Sequence, residues 1–196
     1  ILEETLKRVG GVEVAAYDQP IPSLDFNYRC RAHFHVSKNG WGFYESLSHK
    51  VVDINACPLL HERVNETFLA IKGALSENSA GITGLDIGVS QTEKRAIPSK
   101  ADSAVAAFYV TKDGAPLNWS KALGNVKSLK GFELRDAETK KLIKTYGETS
   151  LESSVLDVNF RADLSVFSQV NRMQNLNLVK KTLSFTGLTG VERVID

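Results

Sequence analysis

Between residues 26 and 36 apolar and polar positions alternate, with Tyr28, Cys30, Ala32, Phe34 and Val36 on one face and Arg29, Arg31, His33 and His35 on the other. A period of two predicts a half-buried strand. Lys38-Asn39-Gly40 is suited to a hairpin turn, and residues 41–44 predict the returning strand. After Cys57 the period lengthens. Leu60, Val64, Phe68, Ile71 and Leu75 fall on one helical face, with Pro58 expected at the first helical position, where its missing N–H costs nothing. Short β-rich runs then predict strands over residues 85–92, 105–111, 132–135, 142–146 and 155–160, with a helix over 117–129 that Gly124 weakens. The sum is an α+β domain built on a largely antiparallel sheet with packed helices, ending near Asp163.

Both ends of the chain read differently. Leu2, Leu6 and Val9 make a helical stripe that starts without a cap and ends at Gly10-Gly11, and residues 18–25, with Pro20 and Pro22, form an irregular connector. Near the other end Asn171 is a good N-cap, with Gln174 three residues on as in a capping box. Met173, Leu176, Val179 and Leu183 then give one apolar stripe, Gly187 a left-handed stop, and Val191, Val194 and Ile195 a short strand ending at Asp196. A helix and strand in that order resemble the opening of a Rossmann-like α/β domain, in which ligands bind outside the carboxyl ends of the strands. The expectation is a truncated chain in three parts: residues 1–25 as helix and connector, 26–163 as the central domain, and 164–196 as the start of a second domain. Val191, Val194 and Ile195, left without the rest of a sheet, would favour a dimer through that edge.

Composition narrows the function classes a little. At 196 residues, 42% of them hydrophobic, the chain can bury one substantial core. A formal net charge of +1 gives no global basic signature, so any nucleic-acid contact must be a local patch. No apolar run approaches a membrane span, the first residues do not read as a signal peptide, and with two cysteines a reducing cytoplasmic setting is expected.

Arg29 and Arg31 point the same way from their strand, and guanidinium groups can grip phosphates or stack on unpaired bases. The competing reading is a solvated sheet face. His33 and His35 lack a third ligand, so zinc is not expected. Cys57 reads equally as a small buried apolar side chain.

Several blocks carry a resemblance. Phe167-Ser168-Gln169-Val170-Asn171, with Asn175 and a helix running to a Val-Ile-Asp strand, resembles the RNA uracil-5-methyltransferase family. So does the upstream series Tyr28-Arg29-Cys30-Arg31-Ala32, Gly42-Phe43 and Val52-Asp53-Ile54-Asn55-Ala56-Cys57-Pro58-Leu59. Tyr44, where a basic residue is expected, and Arg172-Met173, where small ones are, depart from the pattern. The family methylates C5 of uridine in ribosomal or transfer RNA using S-adenosylmethionine. The resemblance implies a substrate site at Phe167, Gln169 and Asn171, with the Gln169 amide at the edge of the uracil and Phe167 an apolar or stacking neighbour, though Asn171 also reads simply as a cap. It favours RNA contact by Arg29 and Arg31. It further implies that Cys57 is the fourth ligand of an iron–sulfur (4Fe–4S) cluster in the parent protein, whose other three cysteines would lie upstream, and this tilts the parent toward ribosomal over transfer RNA. The cysteine that adds to C6, the base that removes the C5 proton and the glycine-rich cofactor turn are expected beyond Asp196. The chain alone should therefore lack methyltransferase activity, carry no cofactor, and at most bind RNA. Two other readings compete: a noncatalytic RNA-binding module, and an unrelated α+β enzyme or interaction domain.

Overall fold

A computed structural model describes residues 2–13, 16, 18–90, 103–112, 114, 119–187 and 190. The expected strand over 191–196, and with it the proposed dimer edge, lies outside the described residues, as do parts of the segments expected at 85–92 and 117–129.

The alternation around Phe34 builds β1 (Arg31–Ser37) at the heart of a seven-stranded sheet. It pairs antiparallel with β2 (Gly40–Tyr44) on one side, and β2 pairs in turn with β3 (Val51–Asp53). On its other side lie β4 (Ile82–Val89), β5 (Ala104–Val110), β6 (Leu129–Asp136) and β7 (Leu142–Gly147), giving the order β3-β2-β1-β4-β5-β6-β7. Every pairing is antiparallel except β5 with β6, which are parallel and therefore need a crossover. Among the described residues of that crossover is a helix, Trp119–Leu123, here α3, with Gly124 in the turn that follows it.

The strand predicted from residue 26 begins at Arg31 instead, because residues 28–30 are tied elsewhere: the Arg29 backbone bridges Leu60 and Asn171, and Cys30 N–H donates to Val170. The helix expected at Pro58 also starts late. Residues 57–60 close a turn, with the Leu60 N–H donating to the Cys57 carbonyl, and His61 caps α2 (Glu62–Ala74) by accepting from Arg63 N–H. The predicted stripe is nonetheless the helix's buried side: Leu60, Val64, Phe68, Ile71 and Leu75 are each 0 or 1% exposed. They cover one face of the sheet. Phe68 stacks on Phe34 at 4.0 Å between ring centroids, and full burial of such side chains is worth roughly 1.5–3 kcal/mol each.

The run expected as one strand over 155–160 is a hairpin, β8 (Leu151–Val155) and β9 (Val158–Ala162), turning at Leu156 with φ of 53°. Leu151 and Leu164 pack with Val105 and Ala107 as a second, smaller core on the opposite face of the sheet. Gly88 makes this possible, since a Cβ there would sit 2.7 Å from Leu164 Cδ2 and 2.9 Å from Leu151 Cδ1. Only one end of that face is covered by this core.

At the start of the chain α1 (Leu2–Gly10) stops at Gly11, with φ of 63°, and leaves Val9 exposed. At the other end α4 (Arg172–Thr186) has the expected caps, Asn171 and left-handed Gly187. The Asn171 oxygen accepts from Gln174 N–H at 3.0 Å, but the Gln174 amide donates to the Ile21 carbonyl rather than closing a capping box. Its predicted apolar stripe is not buried; Met173 and Leu183 are exposed. No helix among the described residues is long and apolar enough to cross a membrane.

Candidate functional site

Residues 163–171 run from the hairpin to α4, and their sequence fixes them at both ends. Asp163 accepts from the Ser165 N–H and hydroxyl, which hold its carboxyl below the ordinary carboxylate range against the opposing effect of burial. Leu164 is buried in the smaller core. Arg31 reaches across from β1 to donate to the carbonyls of Leu164 and of Val166, the latter at 2.8 Å. At the far end Val170 accepts from Cys30 N–H at 3.0 Å and Asn171 caps α4. Phe167, Ser168 and Gln169 lie between these anchors.

These residues form one wall of a cavity of about 250 Å³. The hairpin contributes Ser153, Ser154 and Phe160, the loop contributes Phe167 and Gln169, and α4 contributes Arg172 and Asn175. Two amides that both donate and accept, three hydroxyls, a guanidinium and two aromatic faces suit a small planar ligand with a polar edge. The structure thus brings Phe167 and Gln169 together. Asn171 stands apart from this lining: its amide oxygen caps the helix and its amide nitrogen donates to Ser23 at 2.9 Å. Sequence reasoning missed Ser153, Ser154 and Phe160, whose turn, Leu156-Asp157, carries no glycine or asparagine to mark it.

Arg29 and Arg31 part company. Arg31 is committed internally, to residues 164 and 166 and to Asp86 at 3.6 Å. Arg29 is half-buried beside them, and its Nε has no hydrogen-bond partner among the described residues. Replacing Arg31 with methionine should therefore speed amide hydrogen exchange over residues 164–171 while leaving α2 protected; unchanged exchange there would show that the loop is held without it.

Beyond Arg31 the same face carries His33, His35 and Tyr44, with Asp86 and Tyr109 from β4 and β5. Asp86 is the hub: His33 Nδ1 lies 2.7 Å from one oxygen, and Tyr109 Oη donates to the other at 2.8 Å. Burial pushes the Asp86 carboxyl up, yet the His33 and Tyr109 hydrogen bonds and the nearby His33 and Arg31 charges hold it below the usual range. Burial and the Asp86 charge push the Tyr109 phenol up to about 12, so it remains a donor. His35 is held below its usual value by burial, then by His33 and His49.

Cys57 packs at the edge of the main core, its N–H bonded to Asn65 Oδ1 at 2.9 Å, and Cys30 is 2% exposed. Among the described residues no group of three or more His, Cys, Asp or Glu side chains is placed to hold a metal ion. A four-iron cluster takes four thiolates, and this chain has two cysteines, so a complete site does not fit it.

No protein-family model matches the chain. An uncharacterised RNA methyltransferase of Aquifex aeolicus is 42% identical over 76 residues, 38% of this chain and 18% of the relative. A 23S rRNA (uracil(1939)-C(5))-methyltransferase of Polaromonas naphthalenivorans is 29% identical across 100% of this chain and 41% of its own length. Among solved structures, the Pyrococcus abyssi tRNA (uracil-54, C5)-methyltransferase, in complex with S-adenosyl-L-homocysteine, matches with a TM-score of 0.70 at 20% identity, over 93% of this chain and 46% of that one. The chain spans less than half the length of these relatives. The chain is thus similar along its whole length to RNA uracil-5-methyltransferases, and its mixed sheet shares the fold of a solved structure of one.

Proposed function

We propose that this chain supplies base and RNA recognition for methylation of uridine C5 in RNA, with ribosomal RNA as the substrate. The observation that carries the reading is the Gln169 cavity, where amide, hydroxyl and guanidinium groups converge between two aromatic side chains. A uracil edge presents alternating acceptors and a donor, which a glutamine amide can meet with both of its ends. Phe160 and Phe167 offer faces on which an unstacked base can rest, as enzymes that act on extruded bases require. Arg29, half-buried beside the cavity loop, would donate from its guanidinium to an RNA phosphate. The preference for ribosomal RNA follows the names of two relatives aligned along the whole chain.

S-adenosylmethionine is the methyl donor the family implies. What these residues do is bind, orient and shield the base. Bond-making groups are a separate matter: the cavity lining contains no cysteine, Cys30 is buried in the main core and Cys57 packs at that core's edge. We therefore propose that the 196-residue chain transfers no methyl group by itself. The test uses the full-length protein with methyl-labelled S-adenosylmethionine and transcripts of ribosomal and transfer RNA. Transfer to ribosomal RNA is expected, and Gln169→Ala should lower kcat/KM about tenfold, the scale of one lost hydrogen bond. Wild-type rates in that variant would remove Gln169 from base recognition, and methylation by the 196-residue chain would overturn its assignment as recognition only.

A further inference from the structure

The sheet face opposite α2 is capped by Leu151 and Leu164 at one end and carries a run of half-exposed rings at the other. His35 lies flat on Tyr44, centroids 3.6 Å apart and planes 14° from parallel. His49 stands edge-on to Tyr44 at 5.2 Å, and His33 edge-on to His35 at 4.7 Å. Tyr109 continues the run 5.6 Å from His33, with Lys140 Nζ 4.5 Å above its ring. Gly84 lies beneath His33 and Tyr109, where a Cβ would be 3.0 Å from His33 Cε1, so the rings sit low against the backbone. The one carboxylate in their midst, Asp86, is 7% exposed and bonded to His33 and Tyr109.

We propose that this face is a stacking platform for unpaired bases of an RNA strand that leads into the Gln169 cavity. The inference rests on the RNA reading above and adds to it where the strand lies. Aromatic and imidazole rings on a sheet take bases face-on without regard to sequence, while ammonium groups at the rim meet the phosphates. Lys140 at the Tyr109 end supplies one, and Lys50, paired with Glu45 at 3.3 Å on the exposed rim beside Tyr44, can exchange that partner for a phosphate; Asp86, among the rings, is already neutralised by its own partners. Direction follows from β1. His35, His33 and Arg31 succeed one another on one face, and Arg31 holds the very turn from which Gln169 hangs. A strand laid along β1 from His35 therefore arrives at the cavity. Metal binding is the weaker use of these histidines, since His33 Nδ1 is spent on Asp86 and no described group of three ligands forms.

The test is fluorescence anisotropy with a short fluorescein-labelled single-stranded RNA and with the same sequence as a duplex, using the 196-residue chain. Single-stranded RNA should bind more tightly than duplex. Tyr44→Ala should weaken that binding about tenfold, the loss expected for one stacked base, while Tyr44→Phe binds like wild type. Tyr44 is 43% exposed, so the melting temperature should hold in both variants. In the full-length protein Tyr44→Ala should raise KM for RNA and leave kcat unchanged. Unaltered binding and KM in an active Tyr44→Ala enzyme would overturn the platform and leave the proposed function standing. Absence of both RNA binding and methyl transfer in the wild-type protein would overturn the two together.

Discussion

Phe34→Ala should lower the free energy of unfolding by about 3–5 kcal/mol, a large part of what an ordinary domain has to lose. Phe34 is 0% exposed and lies between Phe68 of α2, 4.0 Å away, and Phe43 of β2, 5.3 Å away. Its backbone pairs with Leu85 in the middle of the sheet. That pairing is why the cost should approach the upper end: strands bonded on both sides cannot collapse into the space, and the helix would have to move as a body to fill it. Urea titration of the variant beside Leu47→Ala, whose side chain is fully exposed, separates the two cases. The control should change by less than about 0.5 kcal/mol. A loss under about 1 kcal/mol at Phe34 would show that α2 settles onto the sheet and that the stacked pair contributes little.

The same residue marks what was legible in the sequence. The alternation about Phe34 and the stripe from Leu60 to Leu75 are long and periodic, and both became the buried faces they predicted. Boundaries failed where local hydrogen bonds overrode the pattern. Pro58 is compatible with a helix start, yet the turn over residues 57–60 closes first and His61 takes the cap. Leu156 adopts a left-handed conformation that a leucine seldom takes, so one predicted strand folded as two and brought Ser153, Ser154 and Phe160 to the cavity. Phe167 and Gln169 were singled out only through family resemblance, because nothing in their periodicity sets them apart. Arg31 illustrates a different limit. Its position on the polar face follows from the period of two, but the partners it meets there, Leu164 and Val166, lie more than a hundred residues on, and no local pattern encodes them.

Arg31 also faces Asp86, where His33 and Tyr109 converge, and the second large effect is expected there. Asp86→Ala should cost about 2–3 kcal/mol at neutral pH, because the carboxylate holds His33 and Tyr109 by hydrogen bonds and faces the Arg31 charge at 3.6 Å. The larger penalties known for fully buried ion pairs are scaled down because the His33 side chain is 42% exposed to water. The pH dependence has a definite sign. Asp86 is held below its unfolded value of 3.8, so its contribution is present above pH 3.8 and is lost as pH falls through the folded value. His35 is also held low, below 6.5. The unfolded chain therefore takes up a proton there before the folded one does, and stability already begins to fall as pH drops below 6.5. Acid should thus destabilise the wild-type chain in two stages. Asp86→Ala should melt lower at neutral pH and lose less below pH 3.8, where Asp163 and Asp53 still contribute, converging on wild type as the Asp86 carboxylate of the latter is protonated, whereas His35→Gln should lose the earlier stage and keep the later one. Thermal melts across the acid range decide it: two curves that stay parallel down to the lowest pH would mean that Asp86 contributes packing rather than charge, and that Arg31 holds the Gln169 loop without its help.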